Sequence, residues 1–150
     1  MTGGEVGKPP FDTVHHVGIV VKDMERAVSY YQTLGIGPFE MVSLSPSEGL
    51  LRGKPLVTTP VIRMCTVGGI IIELLQPTDE ESLAKEFLER KGEGIQHIAF
   101  LSDDLENDTG KLVNKGFQVV FHQRFGQGGC VYFDTVREGG TLIELFCPPA

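Results

Sequence analysis

Residues His16–Ile36 read HVGIVVKDMERAVSYYQTLGI, and residues His97–Phe117 read HIAFLSDDLENDTGKLVNKGF. Both stretches follow one plan. Seven residues after each histidine stands an aspartate (Asp23, Asp104), followed by an apolar residue and a glutamate (Met24 and Glu25, Leu105 and Glu106). A glycine (Gly35, Gly116) follows at equal distance. A second matched pair, GIIIELLQP from Gly69 and GTLIELFCP from Gly140, closes each half with Gly, Ile-Glu-Leu and Pro at one spacing. Similarity of that extent marks a duplicated unit. The units span about 11–77 and 94–148 of a single domain over 11–150, with a connector at 78–93. Residues 1–10, rich in Gly and Pro without periodicity, read as a flexible arm.

Within each unit the order is strand, helix, three strands. VHHVGIVV is β-branched and apolar over a strand's length, whereas MERAVSYYQTL repeats apolar residues at Met24, Ala27, Val28 and Tyr31, a helical period. Asp23 and Asp104 stand where an N-cap belongs, and Gly35 and Gly116 where a helix stops. PFEMVSL, PVIRMCTV and GIIIELLQ then read as strands, as do QVVFHQRF, CVYFDTV and TLIELFC. The connector TDEESLAKEFLERKG opens with a capping box, Thr78 to Glu81, and sets Leu83, Phe87 and Leu88 on one face of a predicted helix. The expected fold class is α+β, two tandem βαβββ units forming a cupped mixed sheet.

A net charge of −7 on 150 residues argues against nucleic acid and anionic membranes as partners. No apolar run reaches the ~18 residues of a membrane span, and no signal pattern opens the chain, so a cytoplasmic location is expected. Cys65, Cys130 and Cys147 are far apart and form no C-x-x-C pair, which suggests neither a disulfide framework nor a thiolate zinc site.

Strand alternation assigns faces. If Val17, Ile19 and Val21 pack on the helix with His15, then His16, Gly18 and Val20 face the other way. The same count groups His97 with Ala99, Glu73 with Ile71 and Leu75, and Glu144 with Leu142 and Phe146. His16, Glu73, His97 and Glu144 thus hold equivalent positions in the two units, facing away from the helices. A lone histidine or glutamate at such a place is ordinarily structural. Two of each at repeat-related positions, with the carboxylates inside apolar strands, call for a compensating charge. A divalent metal supplies it, and two nitrogens with two carboxylates suit Co, Ni, Mn or Fe better than tetrahedral structural zinc, which stays possible.

These motifs resemble the vicinal oxygen chelate superfamily, over nearly the whole chain from Phe11 to Pro148. The leads GEGIQHIAF, GQGG and GGTLIEL are similar to the methylmalonyl-CoA epimerase family within it. The resemblance implies a cup around a metal held by His16, Glu73, His97 and Glu144, with His15 a packed or hydrogen-bonded neighbour. It further implies a homodimer acting on a small molecule, an acyl-CoA or thiol adduct. The chemistry implied is abstraction of a proton α to a carbonyl or thioester, with Glu144 as base and Glu73 beside it as a catalytic residue. Epimerisation needs a second acid/base, and the aligned position holds Arg63, which cannot be a base near neutral pH. Arg63 is either an exposed strand residue or a binder of an anionic substrate group, and Glu48, in the long stretch SPSEGLLRGKPLVTTP, is the other candidate base. His122 and Gln123 alternate faces, leaving open whether His122 binds substrate in the cup or lies at the surface. GQGG, with no helix after it, reads as a turn or lid. The alternative activity is a glyoxalase I-type lactoylglutathione lyase acting on a hemithioacetal, whose bacterial nickel or cobalt forms share the His, Glu, His, Glu set. Those enzymes usually carry a first-strand Arg for glutathione, where this chain has Val20 and Val21. A dioxygenase would leave Glu73 surplus, and a metal-free drug-binding protein would leave both glutamates uncompensated.

Overall fold

The computed structural model describes residues 8–43 and 47–149. Most of the expected arm, residues 1–7, lies outside the described residues, as does the end of the expected strand PFEMVSL. Strand β1 (Val14–Val20) leads to α1 (Met24–Thr33), then β2 (Glu40–Val42), β3 (Ser47–Leu51), β4 (Lys54–Thr58), β5 (Val61–Val67) and β6 (Ile70–Gln76). Helix α2 (Leu83–Lys91) connects to β7 (Gly94–Leu101), α3 (Leu105–Asn114), β8 (Val119–Phe125), β9 (Gly128–Phe133), a short α4 (Val136–Gly139) and β10 (Leu142–Cys147). The fold is α+β, and the strands form one mixed sheet in the order β2, β5, β6, β1, β7, β10, β9, β8, β3, β4.

The repeated helix has repeated boundaries. Asp23 accepts from the Arg26 amide and Asp104 from that of Asn107, at 3.2 and 3.1 Å. Both helices end in a Schellman motif, with Ile36 and Phe117 amides reaching back to Tyr31 and Leu112, and Gly35 and Gly116 in the left-handed region at φ 88° and 97°. α1 lays Met24 and Val28 on Val21, Cys65 and Leu74, and α3 lays Leu112 on Val131, Phe133 and Leu145. Both therefore cover one face of the sheet and leave the other to line the cup.

The connector helix starts later than its capping box predicts. Ser82 is the N-cap, its hydroxyl accepting from the Lys85 amide at 3.0 Å. The Thr78 hydroxyl instead donates to the Thr59 carbonyl at 2.6 Å, and Asp79 accepts from the Thr59 amide at 2.8 Å, so tertiary bonds hold these residues out of the helix. α2 packs Ala84, Phe87 and Leu88 on Val20, Ile62 and Leu75, and thereby plugs one end of the cup.

The long stretch of the first unit, not recognised as strand in the sequence, is a hairpin. β3 and β4 pair through a two-residue turn, Arg52 and Gly53, both at positive φ (47° and 81°). β3 then adds to β8 of the second unit. β2 and β3 therefore stand eight strand positions apart in the sheet, about 38 Å if it were flat, whereas the chain from Val42 to Ser47 spans at most about 18 Å. The sheet must curl. Among the described residues no helix is long and apolar enough to cross a membrane.

Candidate metal centre

Four adjacent strands, β6, β1, β7 and β10, each bring one side chain to the centre of the curled sheet. Register arranges them in two rows. Glu73, Gly18 and His97 lie side by side in one row, and His16, Ala99 and Glu144 in the next. The Nε2 atoms of His16 and His97 both stand 3.2 Å from Glu144 Oε1. Glu73 reaches His97 Nε2 at 3.3 Å and His16 Nε2 at 3.7 Å. One ligand atom each from His16, His97 and Glu144 lies within 4.8 Å of the others. All four residues are buried. Gly18 makes the row possible, because a Cβ there would stand 2.0 Å from His97 Cε1.

Each histidine is oriented by the residue before it. β1 carries a bulge at His15 and β7 a bulge at Gln96, where two residues oppose one on the facing strand. A bulge re-aims a side chain. His15 therefore does not point away with the packing set, as simple alternation predicts. Its Nδ1 lies 2.8 Å from His16 Nδ1, and its ring lies against Phe146 at 4.7 Å. Gln96 Oε1 stands 2.8 Å from His97 Nδ1. That oxygen can only accept, so His97 Nδ1 donates to it.

The electrostatics follow from this crowding. Burial favours a neutral His16, but the hydrogen bond to Glu144 and the charges of Glu73 and Glu144 outweigh it and raise its pKa. Burial and the His16 charge lower that of His15, making it the neutral acceptor of the pair. Glu73 lies below its ordinary value, because His97 and His16 outweigh a desolvation that would raise it. His97 Nε2, fully buried, has no hydrogen bond of good geometry although two carboxylates flank it. An unpartnered imidazole nitrogen between two carboxylates suits a cation. His16, His97 and Glu144 could hold a divalent ion, with the Glu73 carboxylate beside them.

Other residues singled out in the sequence fall elsewhere. Arg63 shares its strand face with Val61 and Cys65, on the α1 side, and ion-pairs with Glu25; Met64 is the residue in register with Glu73. His122 is exposed, while its neighbour Phe121 packs in the cup with Leu51, Cys130 and Tyr132. Glu48 is also exposed, one residue from Gly49, whose Cβ would meet Phe121. Neither Arg63 nor His122 joins the cluster, and Glu48 points away from it. GQGG makes the β8–β9 turn at Gly126 and Gln127, and its last two glycines begin β9. Sequence reasoning missed Tyr132, which hydrogen-bonds Glu144 and stands opposite it in register. It also missed Gln96, which the repeat itself places where His15 stands.

The pattern of the Glyoxalase/Bleomycin resistance protein/Dioxygenase superfamily matches residues 15–133, and the chain belongs to this vicinal oxygen chelate family. Members of this superfamily typically bind a divalent metal. Among its relatives is the uncharacterised protein YqjC of Bacillus subtilis, 28% identical over 138 residues that cover 89% of this chain and 90% of YqjC. The 4-hydroxyphenylpyruvate dioxygenase of Coccidioides posadasii is 31% identical over 146 residues, 86% of this chain but only 35% of the dioxygenase. Among solved structures, a variant of the Streptomyces coelicolor methylmalonyl-CoA epimerase in complex with 2-nitronate-propionyl-CoA superposes with a TM-score of 0.71 at 26% identity, covering 92% of this chain and 95% of the epimerase.

Proposed function

We propose that this chain is a divalent-metal isomerase that removes a proton α to a thioester carbonyl, in the manner of a methylmalonyl-CoA epimerase. The observation that carries the reading is the buried convergence of His16, Glu73, His97 and Glu144 in a fold shared with an epimerase that holds an acyl-CoA. The four side chains would hold the ion, with Co, Ni, Mn or Fe favoured by the donor set. Bound there, a divalent ion supplies Lewis-acid stabilisation of the negative charge that develops on the substrate's carbonyl oxygen.

The protein's own groups do the rest. Glu144 is the base. Burial and then the Glu144 charge push the Tyr132 phenol well above its ordinary value, so it stays protonated and donates to the Glu144 carboxylate. Phe121, Phe125, Phe146, Leu51 and Leu56 form an apolar wall beside Tyr132, which strengthens these interactions by excluding water.

One observation favours a second reading, the glyoxalase-type isomerisation of a hemithioacetal. That reaction moves a proton between neighbouring carbons with a single base. Arg63 and Glu48 face away from the cluster, and the other buried carboxylate among the described residues, Asp108, bonds Ser102 at 2.6 Å. A dioxygenase is disfavoured by Glu73, a fourth donor where two histidines and one carboxylate suffice.

The deciding experiment loads the protein with cobalt, supplies methylmalonyl-CoA in heavy water, and follows by NMR both α-proton exchange and inversion, with Glu144→Gln as control. Exchange with inversion supports the epimerase. Exchange alone makes Glu144 a solitary base and directs attention to hemithioacetals. Neither process from a metal-loaded protein overturns the epimerase reading.

A further inference from the structure

The bulge that aims His97 is itself tied to the start of β10. Gln96 has no partner residue in the register with β1, which passes from Ile95 to His97, or in that with β10, which begins at His97. The Thr141 hydroxyl donates to the Gln96 backbone carbonyl at 2.7 Å. Thr135 in turn holds Thr141. It is the N-cap of α4, a place where a threonine hydroxyl ordinarily accepts from the helix's own amides, yet it makes no such bond. Its hydroxyl instead donates to the Thr141 carbonyl at 2.7 Å and accepts from the Ile143 amide at 2.9 Å. These bonds form a chain from Thr135 through Thr141 to the residue before His97. The first unit has no counterpart at that place, because Ile70 stands where the matched stretch has Thr141 and brings no hydroxyl.

We propose that Thr141 and Thr135 are positioning residues of the metal centre, their hydroxyls locking the β7 bulge so that His97 Nε2 stays aimed between Glu73 and Glu144. Both act through the backbone. The extra residue of a bulge stands outside the ladder, so its peptide can pivot and swing the side chain that follows it. The Thr141 bond removes that freedom, and the Thr135 bonds keep Thr141 in place to make it. His97 has little slack to absorb a shift. Its ring occupies the space over Gly18, where a Cβ would stand 2.0 Å from Cε1, and meets the rings of Tyr132 and His16 edge-on at 5.1 and 5.3 Å. Outer partners of this kind set the orientation of a ligating imidazole and with it the affinity for the ion. The inference rests on reading the cup as a metal centre and is independent of which reaction the cup performs.

The test compares the full-length protein with Thr141→Val and Thr135→Val, which keep the side-chain shape and lose the hydroxyl, and with Thr141→Ser, which keeps the hydroxyl. Cobalt affinity is measured by chelator competition together with the visible spectrum of the bound ion, and the histidine ring resonances are followed by NMR in metal-free protein. Thr141→Val should bind cobalt about 10–100-fold more weakly and with an altered spectrum. Thr135→Val should do the same to a smaller extent, and Thr141→Ser should restore both properties. In metal-free protein the His97 ring resonances should move in the two valine variants, while those of His15 and His122 stay. Reduced thermal stability with unchanged cobalt affinity, spectrum and His97 resonances would make the threonines merely structural and overturn the proposal. An equal loss in Thr141→Ser also overturns it, since the hydroxyl would then be immaterial. Should Thr141→Val not fold, Thr135→Val carries the same comparison from one bond further out. Wild-type protein that binds no cobalt defeats the metal reading itself; His97 resonances that still move in the valine variants would then uphold the lock on the bulge, and resonances that stay would overturn it.

Discussion

Two residues beyond its histidine the first unit has Gly18, and the second has Ala99. Register explains the difference. Gly18 lies between Glu73 and His97, so the imidazole crosses the place where a Cβ would be, whereas Ala99 lies between His16 and Glu144 and keeps its methyl group, fully buried. The bulges differ in the same way: His15 serves His16 and Gln96 serves His97, one with a titratable ring and the other with an amide. The carboxylates differ too, because Glu144 has Tyr132 as a partner. A duplicated scaffold has thus placed like donors in like positions and then made their surroundings unlike.

The comparison can be broken most forcefully at the carboxylates. Glu144→Gln should lower turnover by about 10²–10⁴-fold by removing the base, while Glu73→Gln, which retains an oxygen donor, should cost about 10–100-fold through weaker metal binding. Equal losses in steady-state rate and metal content would show that the units contribute alike. Next is the glycine: Gly18→Ala should displace His97 and reduce metal affinity by about 100-fold in a chelator competition. The reciprocal change, Ala99→Gly, should cost only about 0.5–1 kcal/mol in denaturant melts with metal binding retained.

The pH dependence sharpens the contrast between the histidine and the carboxylate. In metal-free protein the raised pKa of His16 contributes stability that is complete below its unfolded value near 6.5 and is lost as pH rises through the folded value. Lowered Glu73 contributes above its unfolded value near 4.5 and loses its contribution as pH falls through the folded value. Thermal melts with chelator should therefore show declining stability on both sides of a mildly acidic window. With metal bound, the slope above that window should reverse, since proton and cation compete for His16. The smallest effect is expected at the hairpin clamp. Arg52 and Glu86 are 55% and 41% exposed, so Arg52→Ala should change stability by about 1 kcal/mol or less.

Much of this arrangement is legible in the residues. The matched caps, Asp23 with Gly35 and Asp104 with Gly116, announce the repeat because capping is local chemistry. Period-two alternation then carries His16, Glu73, His97 and Glu144 to one face. Alternation fails at His15 and Gln96, where a bulge adds a residue whose cost and orientation depend on the facing strand. Thr78 carries a capping signal but is drawn away by Thr59, nineteen residues earlier in the chain. Arg63 sits one residue from the cup-facing Met64, and an alignment that slips by one residue exchanges their faces.

The sequence by itself determined the duplicated strand–helix unit, the helix boundaries of α1 and α3, and the identity of the four converging donors, because periodicity and capping act within a few residues. The tertiary structure decided which row each donor occupies, why Gly18 must lack a side chain, that the β3–β4 hairpin joins the opposite unit, and that Gln96 supports His97. These outcomes depend on register and on the curl of a ten-stranded sheet, which bring together residues far apart in the chain.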